Sequence, residues 1–216
     1  MLHSTVTSKG QTTIPGKIRK ALRIKPGDRL EYVVQGDRAT IRVHPGTRSL
    51  KGVLASKKGK GMPFAQIREA AAEATRPRGL PVSKRRLVDT NLIVRYLVQD
   101  HEKHARAAGR LFETCDRGDV VIVLLPAVLA ECVFVLESFY EQARGDIASA
   151  LGTLISSHGV EINEVAIHLD ALDRYRRTKV HFVDCLIAAT ASAENTPVAT
   201  FDQDFRRFGD VRVECE

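Results

Sequence analysis

The chain has 216 residues, with 33 Lys and Arg against 26 Asp and Glu for a formal net charge of +7. No run approaches the roughly 18 apolar residues of a membrane span and the amino terminus lacks an apolar signal region, so a soluble, cytoplasmic protein is expected. The four cysteines, Cys115, Cys132, Cys185 and Cys215, form no Cys-x-x-Cys pair and have no histidine at zinc-finger spacing, which argues against a disulfide framework and a structural zinc.

Charge divides the chain. Residues 1–85 carry 19 Lys and Arg against 5 Asp and Glu, whereas residues 86–216 carry 14 against 21. Length allows two domains. The asymmetry gives them different partners, the basic one suited to a phosphate backbone.

In chain order, Val6-Thr7 and Thr12-Thr13-Ile14 are short β-type stretches around Ser8-Lys9-Gly10-Gln11. Pro15 opens a helix from Gly16 to Leu22. Pro26-Gly27-Asp28 signals a turn, and two strands, Leu30–Val34 and Ala39–Val43, follow around a Gln35-Gly36-Asp37-Arg38 hairpin. Some 48 residues bury too little apolar surface to be stable alone, so a dimer is expected. Thr7-Ser8-Lys9-Gly10-Gln11-Thr12-Thr13-Ile14-Pro15 and Ile18-Arg19-Lys20-Ala21-Leu22-Arg23-Ile24-Lys25-Pro26-Gly27-Asp28 resemble the AbrB/SpoVT/MazE swapped-hairpin DNA-binding domain. The resemblance implies an all-β unit over 1–48, built from two interleaved protomers, that lays Lys9, Gln11, Arg19 and Lys20 on operator DNA. Gln11 stands where some members of that family carry an arginine.

Residues 49–85 read as a linker. Its basic, Gly-punctuated 56–61 segment reads as a flexible connector. An Ala-rich helix over about 64–74 then places Phe64, Ile67 and Ala71 on one face. A helix so short requires a surface to dock on. It is similar to the toxin-binding tail of AbrB-type antitoxins, but here the chain runs on into a further domain. Phe64, Ile67, Arg68 and Arg76 are the expected neutralising residues, with an arginine reaching the acids described next.

Arg86-Leu87-Val88-Asp89-Thr90-Asn91-Leu92-Ile93 reads as a strand that delivers a carboxylate to the turn before a helix. In parallel α/β sheets ligands gather at the carboxyl ends of strands. Helices are expected near Leu92–Val98 and Lys103–Cys115, a buried strand at Val120–Val123, and a helix from Pro126 to about Tyr140 that carries Glu131. Helices near Arg144–Ser157 and Glu164–Arg177, the Asp184 helix, a strand at Pro197–Thr200 and a last strand near Val211–Val213 complete a parallel sheet flanked by helices. Asp89, Glu131, Asp184 and Asp202 all sit in apolar runs. A carboxylate buried without a partner costs several kcal/mol, so a shared divalent cation is the economical expectation.

Val88-Asp89-Thr90-Asn91, Glu131, Asp184-Cys185-Leu186-Ile187-Ala188-Ala189 and Ala199-Thr200-Phe201-Asp202 resemble the PIN-domain ribonucleases, in particular VapC-like toxins, over roughly 86–213 of a domain expected at 86–216. The resemblance implies a metal-dependent endoribonuclease with Asp89, Glu131, Asp184 and Asp202 as catalytic and metal-binding residues. Thr90, Asn91 and Thr200 would support them. Oxygen-only ligands suit Mg2+ or Mn2+ rather than zinc. His181 stands where many members carry a further acid, with Asp204 a weaker substitute than a helix-terminal charge.

The whole then reads as a fused toxin and antitoxin, a VapB-like unit neutralising its own VapC-like nuclease. Its partners would be RNA, operator DNA through which it represses itself, and a second copy through the N-terminal unit, with a higher oligomer through the PIN unit. The other class that fits is a transcriptional regulator whose PIN domain no longer cuts. Asp89-Thr90-Asn91 lacks the Asp-x-Asp of a haloacid-dehalogenase phosphatase, and the chain has no Gly-x-x-x-x-Gly-Lys loop. His101 and His104 read as structural beside a capping Asp100. Phe134, Phe139 and Tyr140 read as core.

Overall fold

The computed structural model describes residues 3–25, 28–35, 38–44, 46–55, 64 and 84–214. The expected neutralising residues Ile67, Arg68 and Arg76, the 56–61 connector and Cys215 lie outside the described residues.

Pro15 precedes helix α1 (Gly16–Ala21), as its fixed φ favours. Strands β1 (Arg29–Gln35) and β2 (Arg38–His44) pair antiparallel from Arg29 opposite His44 to Gln35 opposite Arg38. Residues 6–14 differ from expectation. They hold no strand, only a turn in which the Thr7 N–H donates to the Gln11 carbonyl at 2.8 Å and the Gly10 N–H to the Thr7 carbonyl at 2.9 Å. A β-type stretch needs a ladder partner, and the described residues of one chain supply none here.

The chain then enters the second unit far earlier than its composition suggests. A 3-10 turn, Thr47–Leu50, packs on helices α3 (Glu102–Asp116) and α5 (Arg144–Ser156). The Thr47 N–H and hydroxyl both donate to Asp116 Oδ1 at 2.8 Å. Tyr96 of helix α2 (Thr90–Val98) donates its hydroxyl to the Thr47 carbonyl at 3.1 Å, and burial pushes this phenol up to about 12. The Gly52 and Leu54 N–H groups donate to the carbonyls of Tyr96 and Leu97, each at 3.0 Å. Gly52 has φ +65, and a Cβ there would lie 3.1 Å from Gln99 Cγ, so the close approach favours glycine. Leu50 and Leu54, 2% and 1% exposed, join the main hydrophobic core.

From residue 84 the order is β3 (Arg85–Leu87), α2, α3, β4 (Val121–Val123), α4 (Pro126–Ser138), α5, β5 (Val160–Glu161), α6 (Val165–Arg177), α7 (Phe182–Glu194), β6 (Val198–Ala199), a second 3-10 turn (Gln203–Arg207) and β7 (Val213–Glu214). Strands β3, β4 and β5 form a parallel sheet in that order, and β6 pairs parallel with β7. The two-residue strand β5 was not expected, because a run so short shows no period. The last strand lies at 213–214 rather than 211–213.

Helices flank the β3-β4-β5 sheet, whose edge strand β3 stays exposed with Leu87 in solvent, and close a core that includes Leu97, Phe112, Leu129, Leu136, Leu151 and Tyr175. Tyr96 and Phe112 stack with centroids 4.1 Å apart. The N-cap of α3 is His101 rather than Asp100: its ring nitrogen accepts from the His104 N–H at 3.3 Å and the two rings stack. Asp100 instead accepts from Arg95 and Tyr140. Cys115, Cys132 and Cys185 are free and buried, and burial pushes their thiols up to about 11, 12 and 11. They are therefore poor nucleophiles.

A buried arginine fastens the carboxyl-terminal loop. Arg174 donates to Asp170 at 2.7 Å and to Asp210 at 2.9 Å, and Ser192 also donates to Asp210 at 2.8 Å. These donors, Arg174 first, hold the Asp210 carboxyl far below the usual carboxylate range. Because the folded value is depressed, the stabilisation is present above the unfolded value near pH 4 and is lost as pH falls. Asp210→Asn is expected to cost about 1 kcal/mol at pH 7, since half of Asp210 faces solvent. Denaturant melts should show that difference shrinking below about pH 4.

Candidate active site

Asp89 stands two residues past the end of β3, after the buried Val88, and caps α2, its carboxylate accepting the Leu92 N–H at 2.9 Å. The next residue, Thr90, is buried and donates its hydroxyl to Glu131 Oε2 at 2.6 Å. That bond ties the strand-to-helix turn to α4. Burial first, then the charges of Glu131 and Asp89, push up the Cys132 thiol beside them.

Asp184 lies in the first turn of α7. Burial raises its carboxyl above the ordinary value, and the nearby charges of Asp202 and Asp204 raise it further, against a lowering by His181. Asp202 is set by the turn after β6: its N–H donates to Thr200 Oγ1 at 3.0 Å, and its carboxylate accepts the Asp204 N–H at 2.8 Å. Thr200 in turn donates its N–H to the Glu214 carbonyl of β7 at 3.2 Å. Asp204 is engaged by Arg207 at 2.8 Å, which favours its reading as a helix-terminal charge.

Glu131 is thus hydrogen-bonded to the chain neighbour of Asp89, and Asp184 feels the charges of Asp202 and Asp204. Among the described residues none of the four forms a salt bridge, and no group of three His, Cys, Asp or Glu side chains is close enough to hold a metal ion. The burial expected from their apolar runs does not hold either. Asp89, Glu131 and Asp202 are exposed and Asp184 is half-buried, and several of their apolar neighbours, Phe134, Val183 and Phe201 among them, are exposed with them.

A family model described as PIN domain matches residues 86–211. The chain belongs to the PIN-domain family. A second model, described as antidote-toxin recognition MazE, bacterial antitoxin, matches residues 4–50. The protein is thus a MazE-like antitoxin unit fused to a PIN toxin. PIN domains are typically metal-dependent nucleases. No curated protein matches the chain.

The raised Asp184 carboxyl of the PIN domain has a measurable consequence. A raised folded value means that ionisation opposes folding, so the stability this group contributes is greatest at low pH. Asp184→Asn is expected to raise the melting temperature at pH 7, and the gain should vanish below about pH 4, where the aspartate is neutral in both states.

The PIN domain also exposes aromatic rings. Phe134, one turn beyond Glu131, and Phe139 are 67% and 77% exposed, which corrects their expected place in the core; Tyr140 alone packs against it. The periodicity of α4 is almost uniformly apolar, so spacing could not tell its wet face from its dry one. Phe201, between Thr200 and Asp202 in the stretch that carries the family resemblance, is 86% exposed.

Phe64 of the linker is buried in the same core, with the Arg176 guanidinium 4.9 Å above its ring. Lys9, Gln11, Arg19 and Lys20 are all exposed in the antitoxin unit.

Proposed function

We propose that the chain is a Mg2+- or Mn2+-dependent endoribonuclease, neutralised by its own antitoxin segment, whose N-terminal unit binds operator DNA and represses its own expression. The observation that carries this reading is the bond by which Thr90, the chain neighbour of Asp89, holds Glu131, together with the charges of Asp202 and Asp204 felt by Asp184. Carboxylate oxygens without salt-bridging cations among the described residues fit a hard divalent ion in donor chemistry. Asp89, Glu131, Asp184 and Asp202 would hold it. Such an ion supplies charge neutralisation and an activated water. The chain's own part is positional. The Leu92 N–H fixes Asp89, Thr90 fixes Glu131, and Thr200 fixes Asp202. RNA would be cut by water to leave a 5′-phosphate and a 3′-hydroxyl.

The buried Phe64 supports the neutralising role, because it anchors the linker on the nuclease. Arg68 or Arg76 would then reach the acids and compete with the cation. The exposed Val6, Tyr32 and Val34 support a homodimer through the N-terminal unit, since these side chains find no cover within one chain's described residues. Lys9, Gln11, Arg19 and Lys20 would contact phosphates and bases, giving operator affinity that falls steeply with salt. The cellular site would be the cytoplasm.

A second reading, a regulator with an inactive PIN domain, draws on the absence of a three-ligand group among the described residues. RNA cleavage in Mg2+ by the full chain, by Arg68→Ala/Arg76→Ala, and by that variant with Asp89→Asn separates them. Activity released by the arginine changes and lost with Asp89→Asn supports the nuclease; equal inertness of all three supports the regulator.

A further inference from the structure

We infer that Phe201 is a substrate-positioning residue on which an unstacked base of single-stranded RNA rests while the adjoining phosphodiester lies at the carboxylates. This rests on the ribonuclease reading above. Phe201 is the most exposed large hydrophobic side chain among the described residues, at 86%. A phenyl left in water forgoes the burial that would stabilise the fold, so its position is not explained by packing. Its backbone is nonetheless held firmly. Thr200 is bonded to Glu214, Asp202 to the Thr200 hydroxyl, and Asp204 to the Asp202 carboxylate. The turn that carries the ring is therefore ordered before any ligand arrives, which lowers the backbone cost of binding.

The neighbours of Phe201 define what it can meet. It directly precedes Asp202, whose charge reaches Asp184, and the chain neighbour of Asp184 is a further exposed apolar residue, Val183. A ligand filling this place must carry a flat apolar face next to a group handled by carboxylates. A nucleotide has that form. In a duplex the base faces are occupied by one another, so the ring selects single strands or loops. Every base has a π-face, so Phe201 gives affinity with little sequence preference.

The test uses the full chain carrying Arg68→Ala and Arg76→Ala, and a short single-stranded RNA with one 2-aminopurine, whose fluorescence falls on stacking. Binding is read with Asp89→Asn added to stop turnover. Phe201→Ala should abolish the quenching and raise KM about 5- to 100-fold, the range for one stacked base, with kcat little changed. Phe201→Trp should restore both. Phe139→Ala, which removes another strongly exposed ring about 12 Å along α4 from Glu131, should change neither. An abasic site at the stacked position should make Phe201→Ala and its parent equal. Unchanged quenching and KM in Phe201→Ala would overturn the inference. So would a lower molecular mass in solution with KM unaltered, which would make the ring a contact between copies. If Asp89→Asn cleaves like its parent, the ribonuclease reading fails, and that outcome is distinct because quenching reports the base contact without turnover.

Discussion

Asp89→Asn, placed in the full chain with Arg68→Ala and Arg76→Ala, is expected to cut RNA at least about 100-fold more slowly than its parent, the upper end of the loss seen on removing an outer partner of a metal ligand. The substitution is informative because Asp89 has two tasks. It caps α2 by accepting the Leu92 N–H, and it carries a negative charge next in the chain to Thr90, which holds Glu131. Asparagine caps a helix about as well as aspartate, so the cap survives while the charge is lost. Stability should therefore stay within about 0.5 kcal/mol, as for ordinary surface changes. A rate assay paired with a denaturant melt checks both. Loss of activity with stability intact assigns the effect to the charge, whereas loss of both would trace it to the turn.

Leu54→Ala is expected to destabilise the chain by about 2–5 kcal/mol, although Leu54 lies outside the segment matched by either family model. The leucine is 1% exposed in the core of the PIN domain, and its N–H and carbonyl bond Leu97 and Gln142. Leu22→Ala, at a side chain 42% exposed, should change stability by less than about 1 kcal/mol in the same urea titration. The contrast would show that residues 47–55 are structural parts of the nuclease. It also bears on how inhibition can be tested. A chain beginning at residue 84 would lack Leu50, Leu54 and Phe64, and would leave the carbonyls of Tyr96 and Leu97 without these donors. Low activity of such a fragment would then report damage to the fold, so point changes at Arg68 and Arg76 are the cleaner probe.

Much of the architecture is written in local pattern. The apolar Val121–Val123 run, Pro126 before α4, and alternating strand and helix signals lead to a parallel sheet with helices about it, because each signal depends on residues a few positions apart. The position of Asp89 at a strand end is legible for the same reason. Side-chain surroundings are not. Phe134 and Phe139 face solvent, and three of the four acids are exposed, because which face of an apolar helix is covered depends on elements distant in sequence. The same cause hid the docking of residues 47–55, whose polar and apolar contacts come from α2, α3 and Gln142. The sequence by itself determined the two units and most of the strand and helix order, and it singled out the four acids as candidates. Only the tertiary structure decided that three of those acids face solvent while Asp184 is half-buried, and that the end of the antitoxin unit is built into the toxin core, since burial is a property of neighbours in space.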